Sequence, residues 1–187
     1  MMRTARMALA ALLALALALT AAPPIPPAGA ASAAEIDRDV EAAMAKMFDS
    51  VPNARHMASQ ARGVLVFPNI VKAGFLFGAQ YGEGALRRQG RSAGYYSSVA
   101  ASYGLQAGVQ VFGYALFFMS DSAISYLDKS GGFELGTGPS IAILDHGAAR
   151  AFTTTTMQHD IYAVFFDQRG LMAGLGLQGA KITRIDP

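Results

Sequence analysis

The sequence contains no cysteine, and only 15% of its 187 residues are charged. Without cysteine the chain can form no disulfide bond, and it can carry no lipid on a cysteine side chain. A structural zinc site is also disfavoured, because thiolates are the usual ligands of such sites. Folding must therefore depend on an apolar core, which the 52% of hydrophobic residues can supply.

The N-terminal segment has the pattern of a secretory signal. Arg3 and Arg6 precede an unbroken apolar run over residues 7–19, and a proline-rich stretch follows. Small residues then offer two cleavage points, after Ala30 and after Ala33. The apolar run is short for a membrane-spanning helix, and an uncleaved anchor is the alternative. We therefore expect a signal peptide followed by a leader rich in proline and alanine.

Removal of residues 1–33 would leave a single domain over residues 34–187 with no net charge. Two of the 15 Lys and Arg residues lie in the removed segment, so 13 basic residues balance 13 acidic ones. A neutral domain has no global attraction to nucleic acid or to an anionic membrane, so any attraction must come from a local patch. We expect a periplasmic or secreted protein that is peripheral to a membrane, is not lipidated and binds no nucleic acid.

Amphipathic helices open the domain. Over residues 35–48, apolar residues recur at steps of three and four, and charged residues fill the other face. Asp49 or Ser50 can cap a second short helix that runs to about residue 61, with Pro52 in its first turn. A third short helix is expected after Ser120, whose side chain is a typical N-cap.

Beyond Gly63 the sequence changes to the period of two that is typical of β-strands, and glycine recurs every four residues. Because four is an even number, such glycines share one face of a strand, while apolar residues occupy the other. None of the glycine-rich runs reaches the roughly 18 residues of a membrane helix. The glycines expected to have structural roles are Gly74, Gly78 and Gly82 on a first strand, Gly104 and Gly108 on a second, and Gly170 and Gly174 on a third.

Together these patterns predict an α+β fold. Glycine permits bends and close backbone approach, so three glycine-rich strands indicate a strongly curved, mainly antiparallel sheet or partial barrel. The N-terminal amphipathic helices would pack on this sheet. Residues 140–144 and 163–166 are further strands, and the β-branched residues 153–156 can pair along an edge.

The densest basic cluster of the mature domain is the loop from Arg87 to Arg91. One interpretation is a solvated hairpin tip. The other is a contact with anionic lipid headgroups, to which each basic residue contributes about 1 kcal/mol. Tyrosines of the kind that lie at membrane interfaces follow the loop, and a lysine of the first glycine-rich strand could join the patch. The predicted lipid-binding residues are Lys72, Arg87, Arg88, Arg91, Tyr95 and Tyr96.

The sequence indicates neither a catalytic group nor a metal site. His146 follows Asp145 and His159 precedes Asp160, but adjacent residues of a strand point to opposite faces and form no dyad. The histidines lack the spacing of metal ligands, and the glycines lack the order of a phosphate-binding loop. We predict a protein that is not an enzyme and that needs no metal or cofactor.

Two segments resemble the opening and closing signatures of the SYLF domain family. The resemblance spans roughly residues 40–185. Members of this family bind lipids, and fungal members also bind actin filaments, so the resemblance implies a lipid-binding domain. The segments are Arg62-Gly63, Phe67-Pro68, Lys72-Ala73-Gly74 and Tyr81-Gly82-Glu83-Gly84 at the opening, and Arg169-Gly170-Leu171, Ala173-Gly174 and Gly179 at the close.

Two hypotheses about function follow. The first is a non-enzymatic protein of the bacterial envelope that binds a phospholipid or a membrane surface. The second is a structural or assembly protein of the envelope that packs against a protein partner. Actin is not expected as a partner, because the helix over residues 35–48 is net acidic, whereas eukaryotic members of the family have a basic one.

Overall fold

The computed structural model describes residues 31–74, 77–103, 108–129, 133–135, 138–144, 149, 158–170 and 179–187, without the side chains of residues 102 and 103. Three helices and eight strands lie in these ranges. The helices are α1 (Ala33–Ser50), α2 (Ala54–Gln60) and α3 (Asp121–Ser125). The strands are β1 (Gly63–Gly74), β2 (Phe77–Arg88), β3 (Arg91–Tyr103), β4 (Gly108–Phe118), β5 (Phe133–Glu134), β6 (Ile141–Leu144), β7 (Ile161–Gly170) and β8 (Lys181–Ile185).

Helix α1 confirms the amphipathic helix predicted at the start of the domain. Its first turn is held by a capping box, in which the side chain of Ser32 accepts a hydrogen bond from the backbone N–H of Glu35. The carboxylate of Glu35 accepts one in return from the backbone N–H of Ser32, at 2.9 Å. The apolar stripe is buried as the spacing predicted, and its members are Ile36, Val40, Ala43 and Met47.

The predicted cap of the second helix is wrong. Asp49 and Ser50 belong to the last turn of α1, which ends before Val51. Val51 is extended because the following Pro52 disfavours a helical conformation in the residue before it. Asn53 then starts α2 from a left-handed conformation, with φ of 58° and no side-chain cap.

All eight strands form one sheet that curls into a half-barrel, with the order β5-β8-β3-β2-β1-β4-β7-β6. Neighbouring strands are antiparallel throughout, except that β6 runs parallel to β7. The α+β prediction, with helices on a mainly antiparallel and curved sheet, is therefore confirmed.

Both faces of the sheet are covered near its middle. On the outer face, the α1 residues Val40 and Met47 share one buried cluster with Val66 and Phe117 of the sheet. On the inner face, Ile124 of α3 and Phe133 of the edge strand β5 share a second buried cluster with residues of the central strands. Because both faces are covered, β1 begins with the uninterrupted buried run 63–67 instead of an alternation.

The first glycine-rich run is two strands and not one, so this part of the prediction is wrong. The chain reverses between β1 and β2, and Gly74 is paired directly with Gly78. A Cβ at Gly74 would lie only 2.5 Å from Cα of Gly78, so glycine permits the close approach. Gly78 and Gly82 do lie on the inner face, opposite exposed apolar residues, as predicted.

The remaining predicted glycines fall at strand ends or outside the described residues. Gly108 opens β4 with φ of 135°, and Gly170 closes β7 with φ of 109°. Both conformations are rare for residues that have a Cβ, so glycine is needed at both ends. Gly104 and Gly174 lie outside the described residues, as does the predicted edge segment 153–156.

Candidate functional site

An exposed apolar surface covers the outer face of the sheet beyond the first turn of α1. Two successive cross-strand rows and one further residue form it. The first row joins Val99, Tyr81 and Val71, and the second joins alanines of β1, β2 and β3 with Val109. Beyond the second row lies Phe77 of β2, whose side chain is 72% exposed. We call this set the outer apolar surface, and its members are Val71, Ala73, Phe77, Ala79, Tyr81, Val99, Ala101 and Val109.

Basic residues flank the first row at both ends. Val99 pairs with Lys181 of β8, and Val111, the next residue of the row after Val71, pairs with Arg169 of β7. Lys181 and Arg169 are both exposed. The outer apolar surface therefore has an uncharged centre, with Lys181 on one side and, on the other, Arg169, which pairs with Asp167 at 3.4 Å.

A hydrogen bond joins Tyr81 of this surface to the neighbouring Glu83. The hydroxyl of Tyr81 donates to Oε1 of Glu83 at 2.6 Å. That hydrogen bond, together with partial burial, raises the pKa of Tyr81 to about 12. The other oxygen of Glu83, Oε2, accepts from the backbone N–H of Ala31 at 3.1 Å, which places the start of α1 beside the surface.

A row of buried polar side chains lies on the inner face at the same level of the sheet. Lys72 of β1 pairs with Gln80 of β2 on one side and with Gln110 of β4 on the other. Their exposed fractions are 9%, 5% and 5%. We call these three residues the inner polar row. Within the described residues, neither Nε2 of Gln80 nor Oε1 of Gln110 has a hydrogen-bond partner.

The predicted basic loop is the turn of the β2–β3 hairpin, and carboxylates hold two of its three arginines. Arg87 lies 3.9 Å from Asp37 of α1, and its side chain is only 20% exposed. Arg88 pairs with Asp121 of α3 at 3.2 Å. Arg91 is exposed and has no ion pair among the described residues.

The two tyrosines after the loop point to opposite faces of the sheet. Tyr95 is half-buried beneath α1, and its hydroxyl donates to Asp37 at 3.0 Å. Tyr96 belongs to the inner core with 1% exposure, and its hydroxyl donates to Asp128 at 3.1 Å. Burial and the neighbouring Asp128 raise the pKa of Tyr96 to about 12. Contact of these residues with lipid stays a prediction.

Lys72 does not lie with the arginines. Arg87 of β2 pairs with a residue near the start of β1, whereas Lys72 lies near the end of β1. The seven residue steps of β2 from Gln80, the partner of Lys72, to Arg87 span about 23 Å. The predicted lipid-binding residues therefore divide into a hairpin cluster at one end of the sheet and a buried lysine towards the other.

The candidate catalytic and metal-binding residues are not brought together in the described ranges. His56 and His159 are exposed at separate places, and His146 lies outside those ranges. No three His, Cys, Asp or Glu side chains of the described residues are grouped so as to hold a metal ion. Among the helices that the structure describes, none is long and apolar enough to span a membrane.

Exposed apolar surfaces of this kind often mark interaction sites, and this one lies on the curled sheet of an α+β domain. Residues 99–186 match the family model described as "Ysc84: Las17-binding protein actin regulator". This match over residues 99–186 supports the resemblance to the SYLF domain family. The family is one of binding domains, associated with lipid and actin. No curated protein matches the chain.

Sequence reasoning missed both the outer apolar surface and the inner polar row. The sequence pattern that marks both features is the same: polar residues alternate with apolar residues along a strand. Lys72, Gln80 and Gln110 each stand between residues that face outward. Their common position could not be recognised, because it depends on the pairing register of three strands.

Proposed function

We propose that the protein is a non-enzymatic lipid-binding protein of the bacterial envelope and that the outer apolar surface contacts the membrane. The observation that carries this proposal is the pair of apolar rows across β1 to β4, extended by Phe77, in which no described side chain is charged. Large apolar patches on soluble domains mark interaction surfaces. The association of the family with lipid supports a membrane as the ligand.

The composition of the surface suits the boundary between headgroups and acyl chains. Phe77 and Tyr81 are aromatic residues of the kind that settle at that boundary. Phe77 begins β2, next to the reversal of the chain, where a small part of the domain can enter the bilayer. Lys181 and Arg169 flank the first row. Lys181 would meet anionic headgroups at about 1 kcal/mol, whereas Arg169 already faces the carboxylate of Asp167.

Flotation with phosphatidylglycerol vesicles tests this proposal. Phe77→Ser should weaken binding about tenfold or more at both low and high salt, because burial of the ring is lost and salt does not screen it. Val99→Ser and Ile143→Ser are a matched pair, since both residues are β-branched, lie in strands and are 48% exposed. Only the Val99 change, which lies on the outer apolar surface, should weaken flotation.

Equal flotation of the Val99→Ser and Ile143→Ser proteins, combined with unchanged flotation of Phe77→Ser, would contradict the membrane role of this surface. The second hypothesis is favoured if the unmutated protein does not float with vesicles of phosphatidylcholine, of phosphatidylethanolamine or of phosphatidylglycerol. The outer apolar surface would then pack against an envelope protein.

The arginine cluster is tested in the same assay. Replacing Arg87, Arg88 and Arg91 by Ser should weaken flotation about fivefold at low salt and not at all at high salt. Two of these arginines already face carboxylates, so about one unpaired cation contributes, at about 1 kcal/mol. A hundredfold loss at low salt would instead identify the hairpin as the main membrane contact.

Export to the envelope is part of the proposal, with cleavage after Ala30 as the expected processing step. The structure of α1 supports this choice over cleavage after Ala33. Cleavage there would remove Ser32, which caps the helix, and Ala31, whose N–H is bound by Glu83. A cut after Ala30 retains both contacts and leaves a new ammonium group beside the carboxylate of Glu83.

The expected N-terminus of the protein recovered from the periplasm of a Gram-negative host is therefore Ala31. Intact-mass spectrometry of the purified protein measures it directly. A chain that starts at Ala34 should be less stable by about 1 kcal/mol, because the N-cap is lost. A measured mass that corresponds to a chain starting at Ala34, or to the full-length chain, would contradict the expected cleavage.

A further inference from the structure

A polar cleft of about 150 Å³ opens on the outer face of the sheet, between α1 and the strands β1 and β7. Its walls include Asp39 and Lys46 of α1, Pro68 and Asn69 of β1, and Asp167 of β7. Asp39 and Lys46 lie seven residues apart on one side of the helix, which separates their Cα atoms by about 10 Å. The cleft therefore runs along two turns of α1.

Both strands beneath the cleft have a β-bulge at this level. Strand β1 has one residue more than β4 between Phe67 and Ile70, and β7 has one more than β4 between Phe166 and Arg169. Asp167 lies within the second bulge with φ of 49°, a conformation that costs free energy in residues other than glycine. Bulges and strained residues are frequent beside binding sites, so the backbone around this cleft has the form of a site.

The two ends of the cleft carry opposite charge. At one end, the cations Lys46 and Arg169 both donate to Oδ2 of Asp167, at 2.8 Å and 3.4 Å. One carboxylate thus serves two cations, which leaves one positive charge in excess. At the other end Asp39 is exposed, and it takes part in no ion pair or hydrogen bond within the described part of the chain.

A zwitterion that carries a primary ammonium group and a phosphate matches this polarity. Lysine has three N–H donors and arginine has five, so Lys46 and Arg169 retain donors for a phosphate while both stay paired with Asp167. The ammonium group can donate to Asp39. Two carbon atoms separate the oxygen and the nitrogen of phosphoethanolamine, and a hydrogen bond of about 3 Å at either end gives a span similar to that of the cleft.

The cleft borders the outer apolar surface. Asn69 of the cleft precedes Val71 of the first apolar row by two residues, and Arg169 pairs with Val111, which continues that row. A lipid whose headgroup lies in the cleft can therefore place its acyl chains beside the outer apolar surface.

We propose that the cleft binds the phosphoethanolamine headgroup of a lipid, with the ammonium group at Asp39 and the phosphate at Lys46 and Arg169. The inference rests on the proposed function, because it names the lipid that the outer apolar surface meets. The same chemistry would accept the free zwitterion, so the experiments separate the headgroup in a membrane from the headgroup in solution.

Flotation with two kinds of vesicle tests the headgroup in a membrane. Both contain the same fraction of phosphatidylglycerol, and the remainder is either phosphatidylethanolamine or phosphatidylcholine. The quaternary ammonium of phosphatidylcholine has no N–H group to donate to Asp39. The unmutated protein should therefore bind the phosphatidylethanolamine vesicles about threefold to fivefold more tightly, the contribution of one exposed charged contact.

Asp39→Asn should abolish this preference, because the amide carries no charge. The matched control is Glu41→Gln, which removes another exposed carboxylate of α1 that does not line the cleft and should retain the preference. A difference in lipid packing between the two kinds of vesicle would affect both variants equally. Loss of the preference in Asp39→Asn alone thus identifies the headgroup contact.

Thermal unfolding with glycerophosphoethanolamine tests the headgroup in solution. This compound has no acyl chains, and it should raise the melting temperature of the unmutated protein more than glycerophosphocholine does, because a ligand of the folded state stabilises it. Lys46→Met should lose this response. Without ligand, its melting temperature should change little, since the side chain of Lys46 is 58% exposed in its pair with Asp167.

The headgroup site and the membrane function fail in different ways. If the protein floats with phosphatidylglycerol vesicles but shows no preference for phosphatidylethanolamine, or if Asp39→Asn keeps the preference, the headgroup site is overturned and the membrane function stands. If the protein floats with no vesicles, the membrane function fails. A response to glycerophosphoethanolamine that Asp39→Asn abolishes would then identify a site for the free zwitterion, and the lack of any response would overturn the site as well.

Discussion

Gly84→Ala is expected to destabilise the domain by about 3 kcal/mol, which is a large part of the stability of a domain of this size. An added Cβ at this position would overlap the carbonyl oxygen of Val66 and would lie 2.9 Å from Cδ1 of Phe67. The obstacle is backbone of the neighbouring strand β1, which is fixed by pairing on both sides. The clash therefore cannot be relieved by a rotamer change.

Gly94→Ala is the matched control for this prediction. The added Cβ would lie 3.2 Å from a ring atom of Tyr96, a side chain that can shift by a few tenths of an ångström. Its cost should stay below about 1 kcal/mol. Urea unfolding of both variants measures the difference, and equal stabilities would contradict the close approach of β2 to Val66.

Phe67→Ala is expected to cost about 3–5 kcal/mol, the usual range for loss of a fully buried aromatic ring. Phe67 is 0% exposed, and its ring centroid lies 4.8 Å from that of Tyr114 on the neighbouring strand β4. Deletion of the ring would leave a cavity at the position where β1 changes register. Because the strands on both sides are central, the cavity can collapse only in part.

Phe77→Ala provides the comparison, since it removes the same side chain from the same sheet. Phe77 is 72% exposed, so the change should alter the free energy of unfolding by no more than about 0.5 kcal/mol. The pair thus separates a phenylalanine that stabilises the fold from one that is available to a ligand. A destabilisation of Phe77→Ala as large as that of Phe67→Ala would show that the ring at position 77 is packed against the domain.

The local parts of the fold were predictable from the sequence. Helix α1 could be recognised because its apolar stripe, its charged face and its capping residue all lie within one short segment. The α+β class and the curvature followed from the change of period and from the repeated glycines. The reversal between Gly74 and Gly78 was missed because the four-residue glycine spacing continues through the turn, and the pattern of alternation does not change there.

The parts of the site that were missed depend on contacts between distant residues. The basic loop looked like three free cations, but Asp37 and Asp121, the partners of two of them, lie far away in the sequence. Likewise, Lys72 was grouped with that loop by charge alone. Only the register of β1 with its neighbours shows that it lies between two glutamines on the inner face, towards the other end of the sheet.

The strand order also determines when the sheet can be completed during folding. Strands β1 and β2 occupy the centre of the sheet. The strands within residues 99–186 therefore lie on both sides of this central pair, and those on one side form no pairs with those on the other. The last strand, β8, closes on β3, where Arg184 pairs with Tyr96. Such long-range pairing makes folding slow, and the edge of β3 stays unpaired until residues 181–185 have joined the sheet. We therefore expect the domain to be most prone to aggregation while β8 has not yet paired with β3.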